Sequence, residues 1–356
     1  MKQRYLIIGN AENTHMLKWV KALVSYYDLY VLSSKKTHES IHRLLPEDHV
    51  FDLDLNISGE GGNYKLLFKY SKIKKIVREI DPAIVNPHYI TSHGFLAALI
   101  KRFSRFKFLL VQSAWGSDIL VTPFKNSIYR RITKFCLQEA DIATSDSRHM
   151  TGVMTTLSPV NVLTFSFGLE ALPDLDPEKK DPHLFYSNRM LSPNYNIDEV
   201  IRFFSRIRAE DPEARLVLAH DGPERDSLAR LVRDLGLEND VTFSGFVSEE
   251  EQESNYRKAG FYLSIPTSDA TSVSLLEAMA YGCIPIVSDI PANHEWITDG
   301  VNGICYQKGK TGYRDLEDAM KQRDAIAARN REIIRERAIF PDAISQYVQQ
   351  LNRLQS

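Results

Sequence analysis

"FYLSIPTSDATSVSLLEAMAYG", residues 261–282, holds a strand, a loop and a helix start within 22 positions. "FYLSIP" is a short apolar run of strand type, and "TSDATSV" is a loop of small polar residues. "SLLEAMAYG" carries helical spacing, is capped by Ser272 or Ser274 and stops at Gly282. A strand that feeds a helix through a short loop is the unit of a parallel α/β sheet, and ligands of open sheets of this kind bind outside the carboxyl ends of the strands.

Outward from this stretch the pattern repeats. Candidate strands fall at 4–10, 28–33, 83–89, 107–114, 141–147 and 161–167, most of them followed by a segment of 3.6-residue periodicity such as "HMLKWVKALVSYY". A second series falls at 183–188, 215–222, 241–246, 261–266, 284–290 and 303–306. Between the two lies "LEALPDLDPEKKDP" (169–182), rich in proline and charge and without apolar periodicity. The expected organisation is an α/β chain of two Rossmann-like doubly wound domains facing across a cleft. Residues 1–168 form the first domain, 169–182 the linker, 183–336 the second domain, and 337–356 a helix crossing back to the first.

Composition agrees with an ordinary folded protein: 356 residues, 43% hydrophobic and 25% charged, more than one core usually serves. No window approaches the roughly 18 uncharged apolar residues of a membrane span, and the apolar run after Met1 is too short for a signal-peptide core, so the chain is read as cytoplasmic. Cys136, Cys283 and Cys305 are far apart, without metal-ligand spacing, and are expected to be buried and reduced. The net charge of −2 conceals an asymmetry. Residues 1–168 carry 22 Lys and Arg against 14 Asp and Glu, or +8, which leaves −10 for the remainder. Halves of opposite sign suggest different partners.

The loop of the opening stretch is suited to an anion. A helix N-terminus at a sheet's carboxyl edge presents the N–H groups of Ser272, Val273, Ser274 and Leu275 and the positive end of its dipole to a phosphate. Glu277, at most one turn into the helix, repels phosphate but accepts hydrogen bonds from the two hydroxyls of a ribose; Asp269, across the loop, can do the same for a second sugar. Acid to sugar, loop to diphosphate and acid to ribose make a nucleotide-sugar site. On this stretch alone a plainer reading stays open, with Glu277 complementing the dipole of its own first turn and Asp269 placed in a turn.

The wider sequence favours the first reading. With "GCIPIVSDIPANHEWITDGVNGICY" (282–306), the stretch resembles the C-terminal domain of family 4 of the GT-B glycosyltransferases, the retaining nucleotide-sugar enzymes. The family motif is a Glu, seven residues and a second Glu, followed by Ala-Met-Ala and a strand with Gly and Pro. Glu277, Ala278, Met279, Ala280, Gly282 and Pro285 match it, while Asp269 stands for the first Glu. "AHDGPERDSL" (219–228), "VTFSGFVSEEE" (241–251) and "YRKAGFYLSIP" (256–266) are similar to the family's other segments. The resemblance implies that the nucleobase lies by Gly245, Phe246 and Val247. It implies that the first acid contacts the donor sugar and the second the ribose, and that Arg189 in "FYSNRML" neutralises the diphosphate. The Lys that accompanies this Arg in the family is absent: "PNYN" brings Asn194, Tyr195 and Asn196 instead. The implied chemistry needs no protein nucleophile, metal or other cofactor, because the acceptor hydroxyl attacks on the face that the diphosphate leaves.

In the first half Gly9 ends the first strand where family members carry a glycine-rich loop, and His15 and His88 are placed to face the cleft. Asp118 in "WGSD" matches an acidic family position and joins Arg189, Asp269 and His88 as a candidate catalytic residue. Trp115 stands where many members have a catalytic His. Basic stretches interleaved with apolar residues at 65–80, 101–108 and 124–135 resemble interfacial segments that dock on anionic lipid. The expectation is a peripheral enzyme of envelope polysaccharide synthesis, with UDP-sugar ahead of GDP-sugar as donor, a lipid-linked or cell-envelope glycan as acceptor, and no nucleic acid partner. The other reading is a catalytically silent relative that senses a nucleotide sugar or serves as a partner subunit.

Overall fold

The computed structural model describes residues 2–55, 64–175 and 180–355. The chain divides into two compact units, residues 1–165 with 341–356, and residues 166–340. Each is built on one wholly parallel sheet.

The first sheet has seven strands: β1 (Arg4–Gly9), β2 (Asp28–Ser33), β3 (Val50–Asp52), β4 (Ile84–Pro87), β5 (Leu109–Ser113), β6 (Ile142–Ser145) and β7 (Val162–Thr164). Their order is β3-β2-β1-β4-β5-β6-β7. Leu6, Ile8, Leu32, Val85 and Leu110 pack against Ile73, Ile76, Val77 and Ile80 of the helix Tyr70–Ile80 and against Leu96, Ala97 and Ile100 of the helix Phe95–Phe103. The last helix, Phe340–Gln355, belongs to this unit from Pro341 onward. It is fastened by Tyr347, whose hydroxyl lies 2.6 Å from that of Tyr5 and whose ring meets Trp19 edge-on at 5.6 Å.

The second sheet has six strands: β8 (Asp181–Ser187), β9 (Arg215–Leu218), β10 (Val241–Phe243), β11 (Ala259–Ser264), β12 (Ile284–Ser288) and β13 (Ile304–Tyr306). They run β10-β9-β8-β11-β12-β13. Alternation along β11 sends Phe261 and Leu263 to one face with Phe185, Val200 and Phe204, and Tyr262 to the other with Leu275, Met279 and Ile334, where Ala259 joins it because the register shifts between Ala259 and Phe261. All six residues of β11 are buried, as expected of a parallel strand covered on both sides.

Two expectations are corrected. The segment 169–182 is not a detached linker. Leu169 bridges Ile339, the carbonyls of Pro173 and Asp174 accept from Arg331 and Arg257, and Asp181 and Pro182 already lie in β8. Residues 176–179 of that segment lie outside the described residues. The strand β3 was not expected either. It has three half-buried residues at the sheet edge, too few to show a period. Cys136, Cys283 and Cys305 are buried and unpaired.

Candidate donor site

In the second unit β9 and β10 leave β8 on one side, while β11, β12 and β13 extend on the other. The order therefore reverses between β8 and β11, and the crevice at their carboxyl ends is the ligand position of a doubly wound sheet. Arg189 follows β8, and the loop that carries Asp269 follows β11. The fold brings them together: Arg189 Nη2 lies 2.6 Å from Asp269 Oδ2, and Nη1 contacts the Ser272 hydroxyl. The guanidinium sits 4.4 Å from the centroid of the Tyr195 ring. Its Nε–H is buried with no acceptor among the described residues. Burial works against the charge on Arg189, but the Asp269 carboxylate outweighs it and holds the guanidinium protonated.

The segment "PNYN" has a different task from the family's Lys. Asn194 exchanges two hydrogen bonds with the backbone of Ser268 (3.0 and 3.2 Å), and its own carbonyl accepts from Thr267 N at 2.7 Å. Asn196, at a left-handed φ of 48°, donates to Ile265 O and Thr267 Oγ1. The turn after β8 is thus buckled to the loop after β11, with Tyr195 laid over Arg189. This clamp escaped sequence reasoning because asparagine beside proline reads as an ordinary turn.

Ser272 is the cap of the helix Val273–Ala280, and its hydroxyl accepts from Leu275 N at 3.3 Å. Leu275 is buried and its amide is consumed by the cap, so the N–H groups left at the helix start are those of Val273 and Ser274. Glu277 is the fifth residue of the helix, in its second turn and not its first. Its Oε2 accepts from Tyr256 Oη (2.9 Å) and Gln252 Nε2 (3.2 Å). Gly245 has φ of 67°, a conformation that favours glycine. Phe246 beyond it is 76% exposed with the His220 ring at 4.7 Å, and Val247 leans on the core. His220 was missed in the sequence, although "AHDG" places it at the end of β9.

The candidates in the first unit are placed differently. Asp118 has no exposed surface, and its oxygens accept from Ile90 N at 2.7 Å and Trp115 N at 2.9 Å. Burial raises its pKa to about 6 against those bonds. His88 is buried too. Trp115 donates its indole N–H to His88 Nδ1 at 3.1 Å, so the His88 proton sits on Nε2, 3.0 Å from Asn86 Oδ1. Burial, with His93 adding to it, lowers the His88 pKa to about 3. His88 is thus a neutral imidazole with both nitrogens engaged, and the Asp118 side chain caps backbone amides. At Gly9 the terminal methyl of Met16 lies in the space that a Cβ would take.

Comparison with known proteins agrees with the fold. The family described as Glycosyl transferases group 1 matches residues 170–337, and Glycosyl transferase 4-like matches residues 4–147. The chain belongs to the family 4 glycosyltransferases of GT-B fold. N-acetyl-alpha-D-glucosaminyl L-malate synthase of Bacillus anthracis is 25% identical over 295 residues, 78% of this chain and 76% of that one. Alpha-monoglucosyldiacylglycerol synthase of Streptococcus pneumoniae is 30% identical over 125 residues, 35% of this chain and 27% of the relative. The fold matches that of the Anabaena protein HepE in complex with UDP and glucose, with a TM-score of 0.77 at 17% identity over 99% of this chain and all of that one. The protein is a glycosyltransferase.

Proposed function

We propose that this glycosyltransferase takes a hexose from a nucleoside-diphosphate sugar, UDP-sugar ahead of GDP-sugar, and passes it with retention to a hydroxyl of a lipid-linked or envelope glycan, without a metal ion. The observation that carries the donor reading is Arg189. A buried guanidinium with an unpartnered Nε–H, at the topological switch point and beside a helix N-terminus, is a site for an anionic leaving group. Phe246 and His220 form an aromatic edge for a base, and Glu277 supplies a carboxylate for the ribose. In the transfer the bond from the anomeric carbon to the phosphate oxygen breaks on the face where the acceptor oxygen bonds, and the acceptor proton passes to the leaving phosphate. Both carboxylates near Arg189 are committed, Asp269 to the guanidinium and Glu277 to Tyr256 and Gln252, which supports a reaction without a protein nucleophile. Charge on the leaving diphosphate is then met by Arg189 and the helix dipole.

The relative named for diacylglycerol and the exposed Phe124 and Ile128 among Lys125, Arg130 and Arg131 support a lipid-bearing acceptor. The test is a thermal-shift panel of nucleotide sugars followed by transfer assays with and without chelator. A ligand at 100 times its Kd stabilises by about 2.7 kcal/mol. Glu277→Ala is expected to reduce that shift, and Arg189→Ala to lower turnover by roughly a hundredfold. A strict magnesium requirement with a mild Arg189 phenotype overturns the reading.

A further inference from the structure

The Glu277 carboxylate is one corner of a closed ring of side chains. Tyr256 Oη donates to Glu277 Oε2 at 2.9 Å and receives a hydrogen bond from Asn188 Nδ2 at 2.9 Å. The second Nδ2 proton of Asn188 goes to Gln252 Oε1 at 3.2 Å, and Gln252 Nε2 closes the ring on Glu277 Oε2 at 3.2 Å. From outside, Tyr262 Oη donates to Asn188 Oδ1 at 2.9 Å, which fixes the amide so that its NH2 faces the ring. The Tyr256 hydroxyl also lies 3.2 Å from the Ser274 carbonyl, so its single proton has two acceptors, of which the Glu277 carboxylate is the nearer and the charged one. Burial, and then Glu277 itself, keeps the Tyr256 hydroxyl protonated and able to donate.

The ring is built from three elements. Gln252 and Tyr256 are four apart on the helix Glu249–Lys258, whose start is secured by a capping box of Ser248 and Glu251. Glu277 comes from the helix Val273–Ala280, and Asn188 is the residue before Arg189 at the end of β8. Two donors converge on one carboxylate oxygen and fix the plane of the group. They also tie it to the backbone that presents the guanidinium.

We infer that Asn188, Gln252 and Tyr256 are positioning residues: they saturate one oxygen of Glu277, set the direction of the carboxylate, and so make the site select a ribonucleotide over its 2′-deoxy counterpart. This rests on the donor reading of Glu277 above. A carboxylate free to rotate hydrogen-bonds a lone 3′-hydroxyl about as well as a diol, whereas a fixed one loses a directed bond when the 2′-hydroxyl is missing. Selectivity therefore depends on the ring and not on Glu277 alone.

The experiment is calorimetric titration of UDP and GDP, each beside its 2′-deoxy form, into the full-length protein and its E277A, Y256F and Q252L variants, with circular dichroism and thermal melts as the check on folding. E277A is expected to bring the ribo-to-deoxy preference to near unity. Y256F and Q252L are each expected to lower it by roughly fivefold, as for one hydrogen bond, with deoxynucleotide affinity nearly unchanged. In the E277A background neither change should lower it further. A ring that merely packs the helix lowers the melting temperature and both affinities alike and leaves their ratio at the wild-type value, and that outcome overturns the proposal. If E277A itself keeps the full preference, or the wild-type protein binds neither ribonucleotide, the assignment of Glu277 to the ribose falls instead.

Discussion

Asp269 stands where the family motif has its first Glu, and its shorter side chain lies against Arg189 at 2.6 Å with its other oxygen on Ala270 N. A carboxylate and a phosphate are rivals for one guanidinium, so a diphosphate must displace or share the partner that Arg189 already has. Asp269→Asn keeps a hydrogen-bonding amide of the same size but removes the charge. The variant is expected to bind free UDP about tenfold more tightly, the scale of one like-charge repulsion moderated by solvent, while sugar transfer falls. Titration calorimetry on UDP checks this, and an unchanged or weaker Kd refutes the rivalry. The sequence made Asp269, Glu277 and Arg189 visible because motif spacing reports on strand ends. It did not report depth. His88 and Asp118 also stand at strand ends, and only the packing of Trp19 and Trp115 around His88 and the backbone amides around Asp118 reveal that these two are walled in. Asp118→Asn tests that position: it turns an NH2 toward one backbone N–H and is expected to destabilise the protein by about 1–3 kcal/mol in a denaturant titration.

At the scale of elements, twelve of the thirteen strands among the described residues were legible, because parallel strands buried on both faces read as short apolar runs at regular spacing. The contacts made by turns were not legible, since they join residues some seventy positions apart. The Pro193–Asn196 turn is the clearest case: its asparagines hold the loop 265–268 with five hydrogen bonds. Asn194→Ala removes two of them at an exposed position. It is expected to weaken donor binding by roughly tenfold through a loosened Arg189 while moving Tm little, a split that calorimetry and a melt separate. The opposite end of β8 carries a feature of stability alone. There His183 lies 2.7 Å from Asp211 and 3.3 Å from Glu213, and the hydrogen bond to Asp211 raises its pKa above 6.5. A raised folded-state pKa means that this stabilisation is complete below pH 6.5 and is lost as pH rises through the folded value. His183→Gln should therefore flatten the stability profile on the alkaline side of pH 6.5, as read by Tm against pH, and leave transfer unchanged.

At the scale of the whole chain the two units differ in charge. Residues 1–165 with 341–356 carry 23 Lys and Arg against 15 Asp and Glu, or +8, and residues 166–340 carry 21 against 31, or −10. Among the described residues no helix is long and apolar enough to cross a membrane. The basic unit displays side chains suited to a lipid surface. Phe68, 83% exposed, stands between Leu67 and Lys69 ahead of Lys72, Lys74 and Lys75, and Phe124 and Ile128, 60% and 65% exposed, flank Lys125 ahead of Arg130 and Arg131. Exposed aromatic and branched side chains beside cations are costly in water and favourable at a headgroup boundary, where each basic residue adds about 1 kcal/mol near an anionic surface. The acidic unit is repelled by the same surface. The expected outcome is salt-sensitive sedimentation of the protein with anionic vesicles, reduced by charge reversal of Arg130 and Arg131 or of Lys72, Lys74 and Lys75, and reduced also by Phe124→Ser, with UDP affinity unchanged in all three. Loss on charge reversal but not on Phe124→Ser would mean purely electrostatic adsorption. No sedimentation even at low ionic strength, where screening is weakest, would move the acceptor from a lipid-borne glycan to a soluble one.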